Sequence, residues 1–245
     1  MSVMNLNGAK VLVIGGSAGI GLEVALQASA AGATVHVAAR GADALERLRA
    51  RHLRITTHRV DAKDADALEQ LLATVGNVDH VAMTVHESAA RLGIDTVAGN
   101  MKLEAAAEYF NGKFWSQYRV VQAVLPRLSD GGSITLTSGV ASRSGMANHS
   151  MIGAANAAIE ASARQLAKEI APKRINVVAP GVTATSTYDA MPEEARANFI
   201  RATTAKVPLQ RIAQPDEIAL AYLFAMGCGY LTGEIIDASG GQLIA

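Results

Sequence analysis

The chain has 245 residues, of which 50% are hydrophobic, and its 22 basic and 22 acidic residues give a formal net charge of zero. This balance argues against a nucleic-acid or anionic-membrane binder, because affinity for phosphate depends on positive charge. The single cysteine, Cys228, excludes an internal disulfide, and no apolar run reaches the about 18 residues that span a bilayer. Residues 1–10 carry no basic-then-apolar leader, so we expect a cytoplasmic protein.

Apolar runs and helical patterns alternate along the chain. Most of the runs are solidly apolar, as is typical of strands covered on both faces. The pattern predicts a single α/β domain over residues 1–245, a doubly wound (Rossmann) parallel sheet of about seven strands with helices on both faces. Strands are predicted at 10–14, 34–39, 55–60, 78–85, 133–137, 175–178 and 235–237, and helices at 20–31, 42–51, 61–75, 103–128, 154–170 and 215–226. Asp64 is expected to cap the third helix.

A glycine-rich turn connects the first strand to the first helix. It reads Gly15-Gly16-Ser17-Ala18-Gly19-Ile20-Gly21. Glycine lets the backbone approach a phosphate closely, and the free N–H groups at the start of the helix attract an anion. Because the turn lies between a strand and a helix, it predicts a binding site for the pyrophosphate of a dinucleotide.

The end of the second strand bears on which dinucleotide is bound. A carboxylate at this position binds the ribose 2′-hydroxyl of NAD, but the strand ends Val37-Ala38-Ala39-Arg40 without one. The guanidinium of Arg40 suits a 2′-phosphate instead, which favours NADP(H) over NAD(H). The alternative is that Arg40 is an ordinary surface arginine.

Further signatures follow in order along essentially the whole chain. They are Val60-Asp61, Gly132-Ser133-Ile134 leading into Thr137-Ser138, Arg174-Ile175-Asn176-Val177-Val178-Ala179-Pro180-Gly181 with Thr185, Pro208-Leu209-x-Arg211, Pro215-x-Glu217-Ile218-Ala219, Leu231-Thr232-Gly233 and Asp237-x-Ser239-Gly240-Gly241. Together with Gly15-x3-Gly19-x-Gly21, this series resembles the short-chain dehydrogenases/reductases. The resemblance implies an oxidoreductase that transfers a hydride between a nicotinamide cofactor and a small-molecule carbonyl or alcohol.

The resemblance also implies roles for individual residues. Asp61 would accept a hydrogen bond from the adenine amino group, and Ser138 would be the catalytic serine that binds the substrate oxygen. The remaining cofactor contacts would come from Ser17, Ala18, Ile20, Ala62, Thr84, Val85, Pro180, Gly181, Val182, Thr183 and Thr185, and no metal ligand is implied. A homotetramer or dimer through helices 103–128 and 154–170 is implied as well, although core packing explains their apolar stripes equally.

The sequence departs from this family at the residues that transfer the proton. The family's Tyr-x3-Lys pair falls on Ile152 and Asn156, and the asparagine of the preceding helix falls on Lys113. Reducing a carbonyl requires a proton on oxygen, which isoleucine cannot give. General acid catalysis is typically worth ~10²- to 10⁴-fold in rate, so the family's usual mechanism should be severely slowed.

Several side chains are candidates for a replacement. The ammonium of Lys113 is a candidate acid near Ser138, although a solvated or ion-paired lysine is an equal alternative. His149 precedes Ile152 by about one turn and is a second candidate, with an uninvolved loop histidine as the simpler interpretation. His86 near the cofactor ribose, Tyr188 as part of a lid and Arg143 as a ligand for an acidic substrate are weaker candidates.

Three functions therefore remain open at this point. The first is an NADP(H)-dependent oxidoreductase with an atypical acid. The second is a catalytically inactive NADP(H)-binding sensor, scaffold or partner subunit. The third is a non-redox enzyme that reuses the cleft, since one fold supports many functions.

Overall fold

The structure is a computed structural model, which describes residues 5–189 and 191–245. Seven parallel strands form one sheet in the order β3-β2-β1-β4-β5-β6-β7. The order reverses between β1 and β4, and this switch point opens a cleft at the carboxyl ends of the strands. The strands are β1 (Lys10–Ile14), β2 (Thr34–Ala39), β3 (Ile55–Arg59), β4 (Val78–Met83), β5 (Leu128–Thr137), β6 (Arg174–Pro180) and β7 (Ile235–Ala238).

Helices cover both faces of this sheet, so the predicted doubly wound α/β fold is confirmed. Asp64 caps α3 as expected, because its Oδ1 accepts a hydrogen bond from the Ala67 backbone N–H at 3.0 Å. The helices are α1 (Gly19–Ala30), α2 (Ala42–Arg51), α3 (Ala65–Val75), α4 (Leu103–Phe110), α5 (Ser116–Val124), α6 (Ser150–Glu169), α7 (Glu193–Thr204) and α8 (Pro215–Gly227).

The alternating side chains of the strands build two separate cores. Leu12, Ile14 and Ile134 point to one face and pack against α3, α5 and α6. Val11 and Val13 point to the other face and pack against α1, α2 and α8. Because both faces are buried, the central strands are mostly apolar, and their carboxyl ends lie at the cleft.

The prediction of one continuous helix over 103–128 is wrong, and the interruption lies at the site. A π-helical turn, Asn111–Trp115, interrupts it between α4 and α5, and a short 3₁₀ turn ends it at 125–127. Side chains of the next turn donate to carbonyls of the π turn: Ser116 Oγ to Gly112 O at 2.7 Å and Gln117 Nε2 to Lys113 O at 3.1 Å. Turns of this kind often occur at functional sites, and this one carries Lys113.

Two other helices differ from the sequence-based expectation. Helix α6 begins at Ser150 rather than at Ala154, so the first turn includes Ile152. Helix α7 was not predicted, because none of its residues is fully buried and its sequence therefore lacks an apolar stripe. Across residues 5–189 and 191–245, no helix combines the length and the apolar character that crossing a bilayer would require.

Candidate functional site

The glycine-rich turn closes tightly against the end of β4. A Cβ atom at Gly21 would lie 2.3 Å from Thr84 Oγ1, and one at Gly15, which has φ +90°, would lie 2.9 Å from the Thr84 carbonyl carbon. Thr84 is held in place because its N–H and its hydroxyl both donate to Ile14 O, at 2.8 and 3.0 Å. The turn therefore requires glycine at both positions, and Thr84, an expected cofactor contact, lies directly against it.

The start of helix α1 is suited to an anion. Its N-cap, Ala18, supplies no side-chain hydrogen bond, and the first turn contains no acidic residue. The free N–H groups and the positive end of the helix dipole therefore have no competing carboxylate. Thr185 approaches from the opposite wall, because its Cγ2 would lie 3.2 Å from a Cβ at Gly19. These residues fit the pyrophosphate of a dinucleotide.

Arg40 and Asp61 lie at the ends of neighbouring strands. The Val60 N–H donates to Ala39 O at 3.0 Å, which places the two side chains at the same edge of the sheet. Arg40 is exposed and makes no ion pair with any residue of the described chain. Asp61 is half-buried, and its Oδ1 accepts a hydrogen bond from the Lys63 N–H at 3.0 Å. Arg40 is thus free to bind a phosphate, and Asp61 keeps a second oxygen for an amino group.

The segment after β6 forms the wall opposite the turn. Gly181 N–H donates to Ala238 O at 3.0 Å, and Thr183 Oγ1 donates to Gly181 O at 3.0 Å. The N–H of Val182 donates to Gln242 Oε1 at 3.3 Å, so the chain's last residues help to hold this wall. Sequence reasoning missed Gln242, because nothing in its local pattern marks a contact with residue 182.

Lys113 is buried behind the end of β5, with 2% of its surface exposed. Its Nζ donates to Thr137 O at 3.0 Å and to Ser138 O at 3.3 Å. No carboxylate of the described residues pairs with it, and burial lowers the pKa of its ammonium from 10.5 to about 8. The alternative interpretation of Lys113 as a solvated or ion-paired lysine is therefore wrong, because the side chain is neither exposed nor paired with a carboxylate.

Gln117 fixes the backbone to which Lys113 binds. Its Nε2 donates to Thr137 O at 2.9 Å, and its Oε1 accepts from the Thr137 N–H at 2.9 Å. The carbonyl of Thr137 thus receives two donors, one from Gln117 and one from Lys113. This arrangement places an amine with a lowered pKa at the carboxyl end of the central strand.

The hydroxyl of Ser138 is engaged within the protein. Its Oγ donates to Glu160 Oε1 at 2.8 Å, and Ser142 Oγ donates to the same oxygen at 2.6 Å. The hydroxyl proton of Ser138 is therefore directed at the carboxylate on α6. The expected donation from Ser138 to a substrate oxygen requires this hydrogen bond to be exchanged.

The next residue, Gly139, lies against Asn156 of α6. A Cβ atom there would lie 3.1 Å from Asn156 Nδ2. Asn156 is 4% exposed, and its Oδ1 has no hydrogen-bond partner in the described residues. Ile152, one turn earlier on α6, packs with Tyr109 and Met151 in a small apolar cluster. Lys113, Gly139, Ile152 and Asn156 therefore occupy the region where the proton-transfer residues were expected.

The weaker candidates lie apart from this group or are already engaged. His149 Nδ1 hydrogen-bonds Ala147 O at 2.7 Å and lines a pocket of about 350 Å³ that none of Lys113, Ser138, Ile152 and Asn156 lines. Arg143 pairs with Glu160 and Asp237, so it is not free to bind an acidic substrate. Tyr188 contacts Phe199 with ring centroids 5.3 Å apart, and burial raises its pKa to about 12. His86 is exposed.

Comparison with known proteins agrees with this geometry. Residues 15–242 match the family model described as enoyl-(acyl carrier protein) reductase. The chain belongs to the short-chain dehydrogenase/reductase family. Within this family, ATR9 of Stachybotrys chlorohalonatus, a short-chain dehydrogenase/reductase, is 32% identical over 98% of each chain. The 3-oxoacyl-(acyl-carrier-protein) reductase FabG of Pseudomonas aeruginosa is 29% identical over 99% of this chain and all of its own length.

Solved structures of short-chain dehydrogenases/reductases superpose on the whole fold. A small-chain dehydrogenase in complex with NADPH is 30% identical, with a TM-score of 0.80 over 97% of this chain and 99% of its own. A second short-chain dehydrogenase/reductase family protein is 28% identical, with a TM-score of 0.86 over 99% of this chain and 100% of its own. The chain therefore has the fold of these oxidoreductases throughout its length, including the strand ends that form the cleft.

Proposed function

We propose that the protein is an NADP(H)-dependent oxidoreductase that interconverts a carbonyl and an alcohol, with Lys113 as the proton donor. The observation that carries the proposal is a buried lysine, 2% exposed, bound to two backbone carbonyls at the carboxyl end of β5.

The cofactor part of the proposal depends on three features of the cleft. The glycine turn and the uncapped start of α1 suit a pyrophosphate, exposed Arg40 suits a 2′-phosphate, and Asp61 suits an amino group. The structural relative in complex with NADPH, 30% identical, supports the same cofactor. NADPH would supply the hydride.

The chain's own residues then supply the proton. The ammonium of Lys113 gives a proton to the substrate oxygen as the hydride reaches the adjoining carbon, and the resulting neutral amine takes a proton back from water. An acid is most effective when its pKa lies near the working pH, and burial brings the pKa of Lys113 from 10.5 to about 8. Thr137 O and Ser138 O orient the amine.

A second candidate is an NADP(H)-binding protein that does not turn over. It is favoured by the bonds of Lys113 to Thr137 O and Ser138 O, which engage two of its three ammonium hydrogens. In this account, the lysine is structural and the cleft binds the cofactor for regulation or assembly.

Binding followed by turnover separates the two. We expect NADPH fluorescence to report saturable binding, and NADPH oxidation to be observed with at least one member of a broad aldehyde and ketone panel. Binding without oxidation across the panel would favour the second candidate. Absence of NADPH binding would contradict both.

We also propose that the protein assembles as a homo-oligomer. Leu103 and Trp115, about 18 Å apart along the segment that runs from α4 through the π turn, are 73% and 49% exposed, and exposed large apolar side chains often contribute to an interface. Light scattering should give a mass of two or four chains, and Trp115→Glu should lower it. A monomer at micromolar concentration would contradict this proposal.

A further inference from the structure

Arg91 connects two segments that border the cleft. It belongs to the segment between β4 and α4, and Ile94 of that segment packs with Tyr109 and Met151 beside the first turn of α6. The guanidinium reaches the segment after β6, where its Nη2 donates to Ser186 O at 3.3 Å. An exposed cation therefore lies on the α6 side of the cleft, the side of the proposed reaction.

The surroundings of His86 show that positive charge collects on this side. Desolvation by the surrounding protein, the ammonium of Lys113 and the guanidinium of Arg91 together lower the pKa of His86 from 6.5 to about 3. His86 nevertheless keeps contact with solvent, so it lies in a concave part of the surface. Both cations act on the same imidazole, which means that both contribute to the potential of this concave region.

No carboxylate of residues 5–189 and 191–245 forms an ion pair with either of these two cations. Glu87, the residue after His86, is buried and pairs with Lys63, whose Nζ lies 3.3 Å from its Oε2. Glu160 of α6 pairs with Arg143. A concave region with two cations that lack a carboxylate partner attracts an anionic ligand.

We propose that the substrate is an oxo acid, a carbonyl compound whose carboxylate binds Arg91. The inference rests on the proposed function: NADPH gives a hydride to the carbonyl carbon and becomes NADP⁺, Lys113 gives a proton to the oxygen, and the oxo acid becomes a hydroxy acid. Ser186 O engages one N–H of the guanidinium, which leaves others of its five for the paired hydrogen bonds that a carboxylate accepts. Arg91 thus takes the role that the sequence suggested for Arg143.

The phosphates of NADP(H) have other partners in the cleft. The start of α1 suits the pyrophosphate and Arg40 suits the 2′-phosphate, and these groups follow β1 and β2. The segment of Arg91 follows β4 and packs beside α6 instead. A carboxylate of the substrate fits this position better than a phosphate of the cofactor.

The test compares acids with their neutral esters. Benzoylformate, benzoylacetate and 3-benzoylpropionate share one carbonyl and place a carboxylate at increasing distance from it, and their methyl esters lack the charge. Each compound is titrated by calorimetry into the protein with and without NADP⁺, which cannot reduce a ketone, and each is assayed for reduction by NADPH. Wild type is compared with Arg91→Gln, Arg91→Lys and Arg164→Gln, a matched change at an exposed arginine of α6.

Wild type should bind at least one acid about tenfold or more tightly than its ester, the worth of a charge-assisted hydrogen bond, and kcat/KM should favour the same acid. Arg91→Gln should lose this preference. Arg91→Lys should keep part of it, because lysine supplies the charge without the paired donors. Arg164→Gln should keep it in full, and Kd for NADPH should stay within about twofold of wild type in every variant.

Three results would overturn the oxo-acid substrate: no preference of wild type for any acid over its ester, an undiminished preference in Arg91→Gln, or a tenfold loss of NADPH affinity in that variant, which would assign Arg91 to a cofactor phosphate. The proposed function fails separately. A wild type that prefers the acids but reduces none of the ketones contradicts the function, whereas one that reduces acids and esters equally well contradicts the oxo-acid substrate alone.

Discussion

The two halves of the cleft differ in how their residues are held. In the half around α1, the contacts are between backbone and close neighbours, such as Gly21 against Thr84 and Thr84 on Ile14 O. In the half around β5 and α6, buried polar side chains sit in unusual surroundings: Lys113 has no carboxylate partner and Asn156 Oδ1 has no partner in the described residues. The first half tolerates almost no change of side chain, and the second contains the residues for which we propose an altered proton transfer.

This difference indicates which half of the cleft determines the cofactor and which determines the reaction. The glycine turn defines a cofactor and leaves the reaction open, because its backbone contacts are the same whatever the substrate. In the proposed function, the reaction depends on a small group of residues at the end of β5 and on α6, of which Lys113 is the proton donor. Changes in the two halves should therefore separate binding from turnover.

Lys113→Met should give the largest effect. It keeps the volume of the side chain and removes the acid, so carbonyl reduction should fall by about 10²- to 10⁴-fold while Kd for NADPH stays within about twofold. Steady-state kinetics and NADPH fluorescence measure the two quantities. Lys168→Met, at an exposed lysine of α6, is the control. Turnover equal to wild type would remove Lys113 from the mechanism.

Gly21→Ala should disrupt the glycine turn in the half of the cleft around α1. Its Cβ would lie 2.3 Å from Thr84 Oγ1 and 2.5 Å from Gly15 O, and overpacking of this kind costs about 1–3 kcal/mol. We expect NADPH binding to weaken by at least tenfold, by titration, with a lower Tm. Gly99→Ala meets nothing within 4 Å and should leave both unchanged. Full NADPH affinity in Gly21→Ala would mean that the turn does not bind the pyrophosphate.

Arg40→Ala should sharpen the assignment of the cofactor. Loss of a charge-assisted hydrogen bond to phosphate costs about 1.5–3 kcal/mol, which predicts NADPH binding about tenfold weaker or more, with NADH binding unchanged. Parallel titrations with both cofactors test this directly. Equal losses for NADPH and NADH, or none for either, would show that Arg40 does not read the 2′-phosphate.

Ser138→Ala should have the smallest effect on turnover. The hydroxyl donates to Glu160 at 2.8 Å, where Ser142 also donates, so its loss should reduce the free energy of unfolding by about 1–2 kcal/mol. With saturating substrate, kcat should remain within twofold of wild type. Chemical denaturation measures the free energy of unfolding, and steady-state kinetics measure kcat. A fall of tenfold or more in kcat would return Ser138 to the reacting group.

The sequence was sufficient for the fold and the cofactor turn because both depend on local patterns. Solidly apolar strands alternate with helical periods, and the glycines stand between the first strand and the first helix. The cap by Asp64 follows from the same kind of short-range rule.

The catalytic half was harder to predict, because its geometry depends on contacts between distant segments. A π turn has no simple apolar period, so the break at 111–115 and the burial of Lys113 against Thr137 could not be read from spacing. Ser138 and Gly139 are adjacent, and a strand turns successive side chains to opposite faces. Whether Ser138 or Gly139 lies against Asn156 depends on the backbone conformation at the end of β5, which the sequence does not specify.

The pH dependence of kcat for carbonyl reduction tests the central claim most directly. Proton donation needs the protonated form of Lys113, which is present below its pKa of about 8 and lost above it. Reduction by wild type should therefore be constant near pH 7 and fall tenfold per unit well above pH 8, and Lys113→Met should show a low rate without this fall. A wild-type profile that is flat through pH 8, or the same fall in Lys113→Met, would contradict the account.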